Sequence, residues 1–202
     1  MPPVIIDTIL QGSPEWLEVR LGKPGGTSFC DIVLRDGKRA AGRTKLLYRL
    51  ASEILSGETT PGFQNAACLR GTELEPEARS AYELITGADV VQVGYVFADE
   101  SRRWGCSPDG LVGDDGLVEI KCPLAHTHVE YMDRGKLPSK YWHQVHGQMA
   151  VTGRQWCDFL SFHPNIRPFL LRVERDEAVC RMITEALEEF CADLAELVER
   201  LR

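Results

Sequence analysis

Several things are missing from this chain. No two cysteines stand as Cys-x-x-Cys, and no repeat, low-complexity tract or long linker interrupts the sequence. No apolar run approaches the ~20 residues of a membrane span. The seven cysteines, Cys30, Cys68, Cys106, Cys122, Cys157, Cys180 and Cys191, are scattered and odd in number. That pattern argues against a disulfide frame, a zinc site or an iron–sulfur cluster, and for reduced thiols in a cytoplasmic protein. The start, Met1-Pro2-Pro3-Val4, lacks a basic region followed by an apolar stretch, so no signal peptide is expected. A positive excess is missing too: the net charge is −7.

The distribution of charge matters more than its sum. Arg35, Lys38, Arg39, Arg43, Lys45 and Arg49 cluster with only Asp36 against them, while the last thirty residues are acidic. The basic run is a candidate nucleic-acid surface or simply a solvated helix face. The 202 residues, 44% hydrophobic and 26% charged, suffice for a single domain, residues 1–202, with a real core.

Ser13-Pro14-Glu15 opens a helix with a serine cap and proline at its first position. Helices are expected over 44–55, 66–86, 127–134, 139–151 and from Asp176 to about Leu201, with a loop over 58–65. Pro76 suggests that the second long helix begins near it. Strands are expected over 90–98, 155–162 and 169–174. The order of elements gives an α/β (α+β) fold, a central mixed sheet with helices on both sides. In the last helix Ile183, Leu187, Phe190, Leu194, Leu197 and Leu201 form a seam, either core-facing or a subunit interface.

The chemistry concentrates in Ser107-Pro108-Asp109-Gly110 and Glu119-Ile120-Lys121-Cys122-Pro123. Two carboxylates and a lysine at D-x9-E-x-K spacing are what a metal-dependent phosphodiester cutter needs. The carboxylates hold hard cations, and the lysine meets the water or phosphate. Apolar pairs flank Asp114-Asp115-Gly116 and read as a hairpin with a three-residue loop ending in a left-handed glycine. In that register Asp109 lies opposite Lys121 and diagonal to Glu119. Loop parity is decisive, because a slip of one residue sends Asp109 to the other face. Glu119 and Lys121 share a face, Ile120 points to the core, and its carbonyl lies near the carboxylates. The bland alternative is a salt-bridged surface hairpin.

Glu75 is either an added metal contact or merely the partner of Arg79 at i+4. Gln144, on a face shared with Gln148, is a candidate to hold the scissile phosphate or attacking water. The pairs His126-x-His128 and His143-x-x-His146 read as ordinary helix-surface histidines.

Five segments in order resemble the phage lambda exonuclease family, the YqaJ-type viral recombinases. They are Trp16 to Gly22, Gly26-Thr27-Ser28, Gly71 to Glu75, the Asp109–Glu119–Lys121 motif and Gln144. The resemblance implies a restriction-endonuclease-like core and a magnesium-dependent alkaline exonuclease of phage or prophage origin, with two ions and manganese as a substitute. It implies 5′-to-3′ digestion of one strand of linear double-stranded DNA to mononucleotides, leaving 3′ tails for strand annealing. A ring-shaped homotrimer and a single-strand-annealing partner are implied as well. By the same resemblance Asp109, Glu119, Glu75 and the Ile120 carbonyl hold metal, Lys121 and Gln144 are catalytic, and Arg20, Thr27 and Ser107 take a 5′ phosphate. Thr27 stands where the family more often has serine, with the hydroxyl retained. The strand-separating wedge does not carry over cleanly; Cys68-Leu69 lies in that region, and Leu69 is the candidate there. Two rival functions stay open, a site- or structure-specific endonuclease on the same core and a non-catalytic DNA-binding module.

Overall fold

The computed structural model describes residues 2–60 and 66–202, and the expected loop over 58–65 lies largely outside them. Ser13 caps the first helix, α1 (Pro14–Arg20), by accepting from the Trp16 amide at 3.2 Å. α2 (Arg43–Ser56) ends at Gly57 in the left-handed region. α3 (Ala66–Thr86) continues through Pro76 instead of beginning there.

The expected single strand over 90–98 divides. β2 (Val90–Val91) joins one sheet, while β3 (Tyr95–Phe97) joins another with β1 (Val4–Ile6) and β4 (Gly105–Cys106). Gly94 lies in the break between them, its amide held by the Ile6 carbonyl at 2.9 Å.

The larger sheet runs β2-β5-β6-β7-β8, adding β5 (Gly110–Val112), β6 (Gly116–Lys121), β7 (Trp156–His163) and β8 (Ile166–Glu174). Only the β6–β7 pair is parallel. Its crossover carries α4 (Ala125–Arg134), a 3-10 turn at Ser139–Tyr141, and α5 (Trp142–Thr152). The final helix is α6 (Glu177–Leu201), capped by Asp176.

Both faces of this mixed sheet are covered. Leu117, Cys157 and Phe159 join α2, α5 and α6 in one core cluster. Val118, Ile120, Leu160 and Phe162 pack with Ala78 and Tyr82 of α3 in the other. Alternation along β6 thus sends Val118 and Ile120 to α3, and Leu117, Glu119 and Lys121 to the opposite side.

The α6 seam is core, not a subunit interface. Ile183, Leu187, Phe190, Leu194 and Leu197 are buried within this chain, and only Leu201 is exposed. The histidines differ from expectation too: His128, His143 and His146 are buried. His128 lies 2.7 Å from Ser161 Oγ and 3.0 Å from the Arg167 carbonyl, which makes it a structural link between α4 and the sheet.

Candidate active site

The hairpin that carries the carboxylates has a three-residue loop, but it is Gly113 to Asp115 and not residues 114 to 116. The register pairs Gly110 with Val118, Leu111 with Leu117 and Val112 with Gly116. The left-handed glycine is Gly113, at φ 51°. Gly116 is instead drawn into β6, where a Cβ would stand 2.1 Å from the Trp156 ring. Parity survives this shift of the loop. Asp109 therefore stays on the Glu119 and Lys121 side, opposite Glu119 and not opposite Lys121.

Asp109 is anchored from two directions. Its Oδ2 accepts from the Ile120 amide at 2.7 Å. The preceding Pro108 carbonyl is held by the side-chain amide of Gln11 at 2.9 Å, which also reaches the Val93 carbonyl. Glu119 is wholly buried. Gln148 Nε2 donates to its Oε2 at 2.6 Å, and the Lys121 ammonium forms an ion pair with its Oε1.

Burial pushes the Glu119 carboxyl up to about 7, and the Asp109 charge adds to the rise; Lys121 and Gln148 oppose it. Burial also acts to lower Lys121, but the Glu119 and Asp109 carboxylates outweigh it and raise the ammonium above its ordinary value. Without metal, then, Lys121 is a firmly protonated cation.

Asp109 and Lys121 open onto a cleft of about 560 Å³ whose walls also include Thr27, Glu75, Cys122 and Gln144, with Glu119 and Gln148 buried behind them. Glu75 faces this cleft while bonded to Arg79 at 2.5 Å. Burial raises its carboxyl, with Asp109 contributing. Among the described residues no three acidic, histidine or cysteine side chains converge as a ready metal cluster. The donor set nevertheless suits a hard divalent cation. Asp109, immediately before β5, and Glu119 on β6 repel one another across the hairpin, and Glu119 Oε1 meets the Lys121 ammonium while Oε2 meets Gln148. A cation there would offset the burial of the Glu119 charge and the Asp109 repulsion that together raise its carboxyl. The Ile120 side chain packs into the α3-side core, as alternation requires.

Arg20 stacks over the Trp16 ring, 3.8 Å from its centroid. It lines a second cleft, about 380 Å³, with Lys23, Thr27, Arg49 and Glu53. Thr27 borders both clefts and joins them. Ser107 is not on the wall of the second cleft. Its hydroxyl donates to the Gly94 carbonyl at 2.9 Å and accepts from Trp16 Nε1 at 2.8 Å. Within the chain it fixes the indole on which Arg20 rests. Leu69 is exposed on α3, and the Cys68 side chain lies outside what is described.

The basic run does not form one free surface. Arg39 pairs with Glu189, and Arg43 with Asp193 at 2.7 Å, which docks α2 against α6. Lys38 pairs with Asp36, and Arg35 donates to the Ser139 carbonyl at 2.9 Å. Arg49 lies 3.5 Å from Glu53 yet lines the Arg20 cleft, and Lys45 is exposed on α2. The acidic tail thus neutralises part of the basic run.

Sequence reasoning singled out Gln144 and passed over Gln148. The shared face was the available signal, since residues four apart lie together on a helix. It also passed over Trp16, four residues before Arg20, as the stacking support for that side chain.

The chain matches the model of the YqaJ-like viral recombinase domain over residues 15–155. Its fold is similar to that of an alkaline exonuclease, LHK-Exo from Laribacter hongkongensis. The TM-score is 0.85 at 40% identity, covering 94% of this chain and 96% of that one. The same protein in complex with dAMP superposes equally well. A phage-related exonuclease from Haemophilus somnus 129PT shares the fold, with a TM-score of 0.70 at 17% identity over 89% of this chain and 96% of that one. The fold is therefore the restriction-endonuclease-like one expected from the sequence. No curated protein matches significantly.

Proposed function

The chain belongs to the YqaJ-like viral recombinase family, and we propose that it is a metal-dependent exonuclease of linear double-stranded DNA. It enters at a 5′ phosphate, runs 5′ to 3′ along one strand, releases mononucleotides and leaves a 3′ tail for annealing. One observation carries this reading: Asp109 and Lys121 line one cleft with Gln144, and the buried Glu119 behind it is ion-paired to Lys121 and repelled by Asp109. The similar Laribacter protein is an alkaline exonuclease known in complex with dAMP, a mononucleotide of the kind this reaction releases.

Asp109, Glu119 and the Ile120 carbonyl would hold magnesium, with Glu75 close enough to the cleft to assist a second ion. Manganese is a suitable substitute. When bound, the metal supplies Lewis-acid polarisation of the phosphate and a more acidic water. Gln148 fixes the orientation of the buried Glu119 carboxylate. Lys121 donates hydrogen bonds to the nucleophile or the phosphate and stabilises the charge that develops there. Gln144 offers its amide to the same phosphate.

Arg20 grips the terminal phosphate with its planar fork, a geometry that lysine does not reproduce. Thr27 links that grip to the catalytic cleft, and Ser107 acts through Trp16. Anchoring the 5′ end one cleft away from the carboxylates gives the cut its direction. The reading extends to the whole chain as one nuclease domain, to a ring-shaped trimer around the duplex, and to a single-strand-annealing partner. The direct test is linear against covalently closed duplex, with magnesium and with chelator. Loss of the linear form alone, and only with magnesium, is expected. Cutting of the closed circle would favour an endonuclease.

A further inference from the structure

Beside the catalytic cleft lies a separate one, about 360 Å³, between α4 and the segment that follows it. α4 ends at Gly135, which adopts the left-handed conformation and turns the chain back. Lys136 to Lys140 then runs along the mouth. Tyr131, Arg134, Lys136 and Lys140 line the cleft, and Thr127 and Lys140 border both it and the catalytic cleft. The two spaces therefore adjoin.

Its charge runs against that of the chain. Among the described residues Glu130 is the only acid on its wall, and Arg134 already engages it at 2.8 Å. Lys136 and Lys140 form no ion pair among the described residues, in a protein whose net charge is −7. The Lys140 ammonium lies 4.8 Å from the Tyr141 ring centre and 5.6 Å from that of Tyr131. Lys121 approaches the same Tyr141 ring, at 5.3 Å. One tyrosine thus sits within reach of both the catalytic ammonium and that of the adjoining cleft. The Tyr131 side chain is buried, and its phenol interacts with Lys140 and Tyr141 at the wall of this cleft. Two ammonium groups with no carboxylate partner among the described residues, one of them held against two tyrosines, form a site for a multiply charged oxyanion.

We propose that this cleft is a second phosphate site, engaging a nucleic-acid phosphate next to the one at the carboxylates. This rests on the nuclease reading above, because only a phosphate-bearing substrate brings such a group to that position. Two sources share the chemistry: the backbone of the bound strand, and a released nucleoside monophosphate on its way out.

The double variant Lys136→Ala/Lys140→Ala separates these sources. Binding of a labelled duplex is measured by fluorescence anisotropy in chelator across a salt series, alongside Arg200→Ala as a charge control. Each lost phosphate contact lowers the slope of log K against log salt by about 0.9. A slope shallower by roughly one to two units in the double variant, and not in the control, assigns the site to the DNA backbone. An unchanged slope with weakened inhibition of digestion by dAMP assigns it to the released nucleotide. If neither changes while thermal melting shows both variants folded, the proposal is overturned. Failure of the wild-type protein to degrade DNA with magnesium would strike the nuclease reading instead, since the anisotropy arm needs no turnover.

Discussion

Gln148 donates to Glu119 across 2.6 Å, with both side chains closed off from solvent. A buried amide thus sets the orientation of a buried carboxylate, and the remaining oxygen of that carboxylate is left to Lys121 and to any cation. Support of this kind around a metal ligand commonly contributes about 10–100-fold to metal affinity or activity. Gln148→Ala is expected to weaken magnesium binding by a factor in that range and to slow digestion to match. Isothermal titration with magnesium, beside the rate, reads both. Wild-type values for each would show that Glu119 needs no such support. Gln148→Glu should be worse than alanine, because it places a third carboxylate against Glu119 and Asp109.

Lys121 is the group whose removal separates binding from cutting. Lys121→Ala should lower the cleavage rate by about 10²–10⁴-fold, the range for loss of a positioned donor at a reacting centre. Duplex binding in chelator should change little, since one contact among many is lost. Comparable rates for the variant and the wild type would remove Lys121 from the chemistry.

Arg20 rests on Trp16 and faces the second cleft. The wild type should start faster on a 5′-phosphorylated end than on a 5′-hydroxyl end, and Arg20→Ala should erase that difference. Arg20→Lys should restore little of it, because an ammonium lacks the bidentate fork. Equal slowing of both substrates by Arg20→Ala would mean that Arg20 does not sense the phosphate.

The raised Glu119 carboxyl has a consequence for stability in chelator. Its folded-state value, about 7, lies above the ordinary 4.5 of a glutamate. The folded protein therefore holds this proton more tightly than the unfolded chain does. That contribution is present in full below the unfolded value and is lost as pH rises through about 7. Melting temperatures of the wild type and Glu119→Gln should accordingly diverge with pH, the wild type losing ground between about pH 5 and about 8. A constant difference over that range would show that Glu119 is already ionised at the lower pH.

Much of this was legible in the sequence because local rules carried it. Strand alternation put Glu119 and Lys121 on one face, and odd loop parity kept Asp109 with them. The exact loop was misread, because Gly113 and Gly116 both fit the left-handed position by type. What decided between them was a long-range contact, the Trp156 ring against Gly116. The partners of the basic run were not legible for a related reason. Its partners Glu189 and Asp193 lie 150 positions away along the chain, and only the packing of α6 on α2 brings them near. The seam of α6 showed that the helix has an apolar side, and periodicity alone does not say whether the surface that covers it is intramolecular. The buried histidines hid for the same cause.

The central claim, a cut that begins at a 5′ phosphate beside Asp109, Glu119 and Lys121, is tested most directly on one substrate pair. A linear duplex labelled at the 3′ end of one strand is digested with magnesium, carrying either a 5′ phosphate or a 5′ hydroxyl on that strand. The expected result is progressive shortening of the labelled strand from its 5′ end, faster with the phosphate, and absent in both Lys121→Ala and chelator. Early release of the 3′ label as a mononucleotide, or equal initiation at both ends, would contradict it.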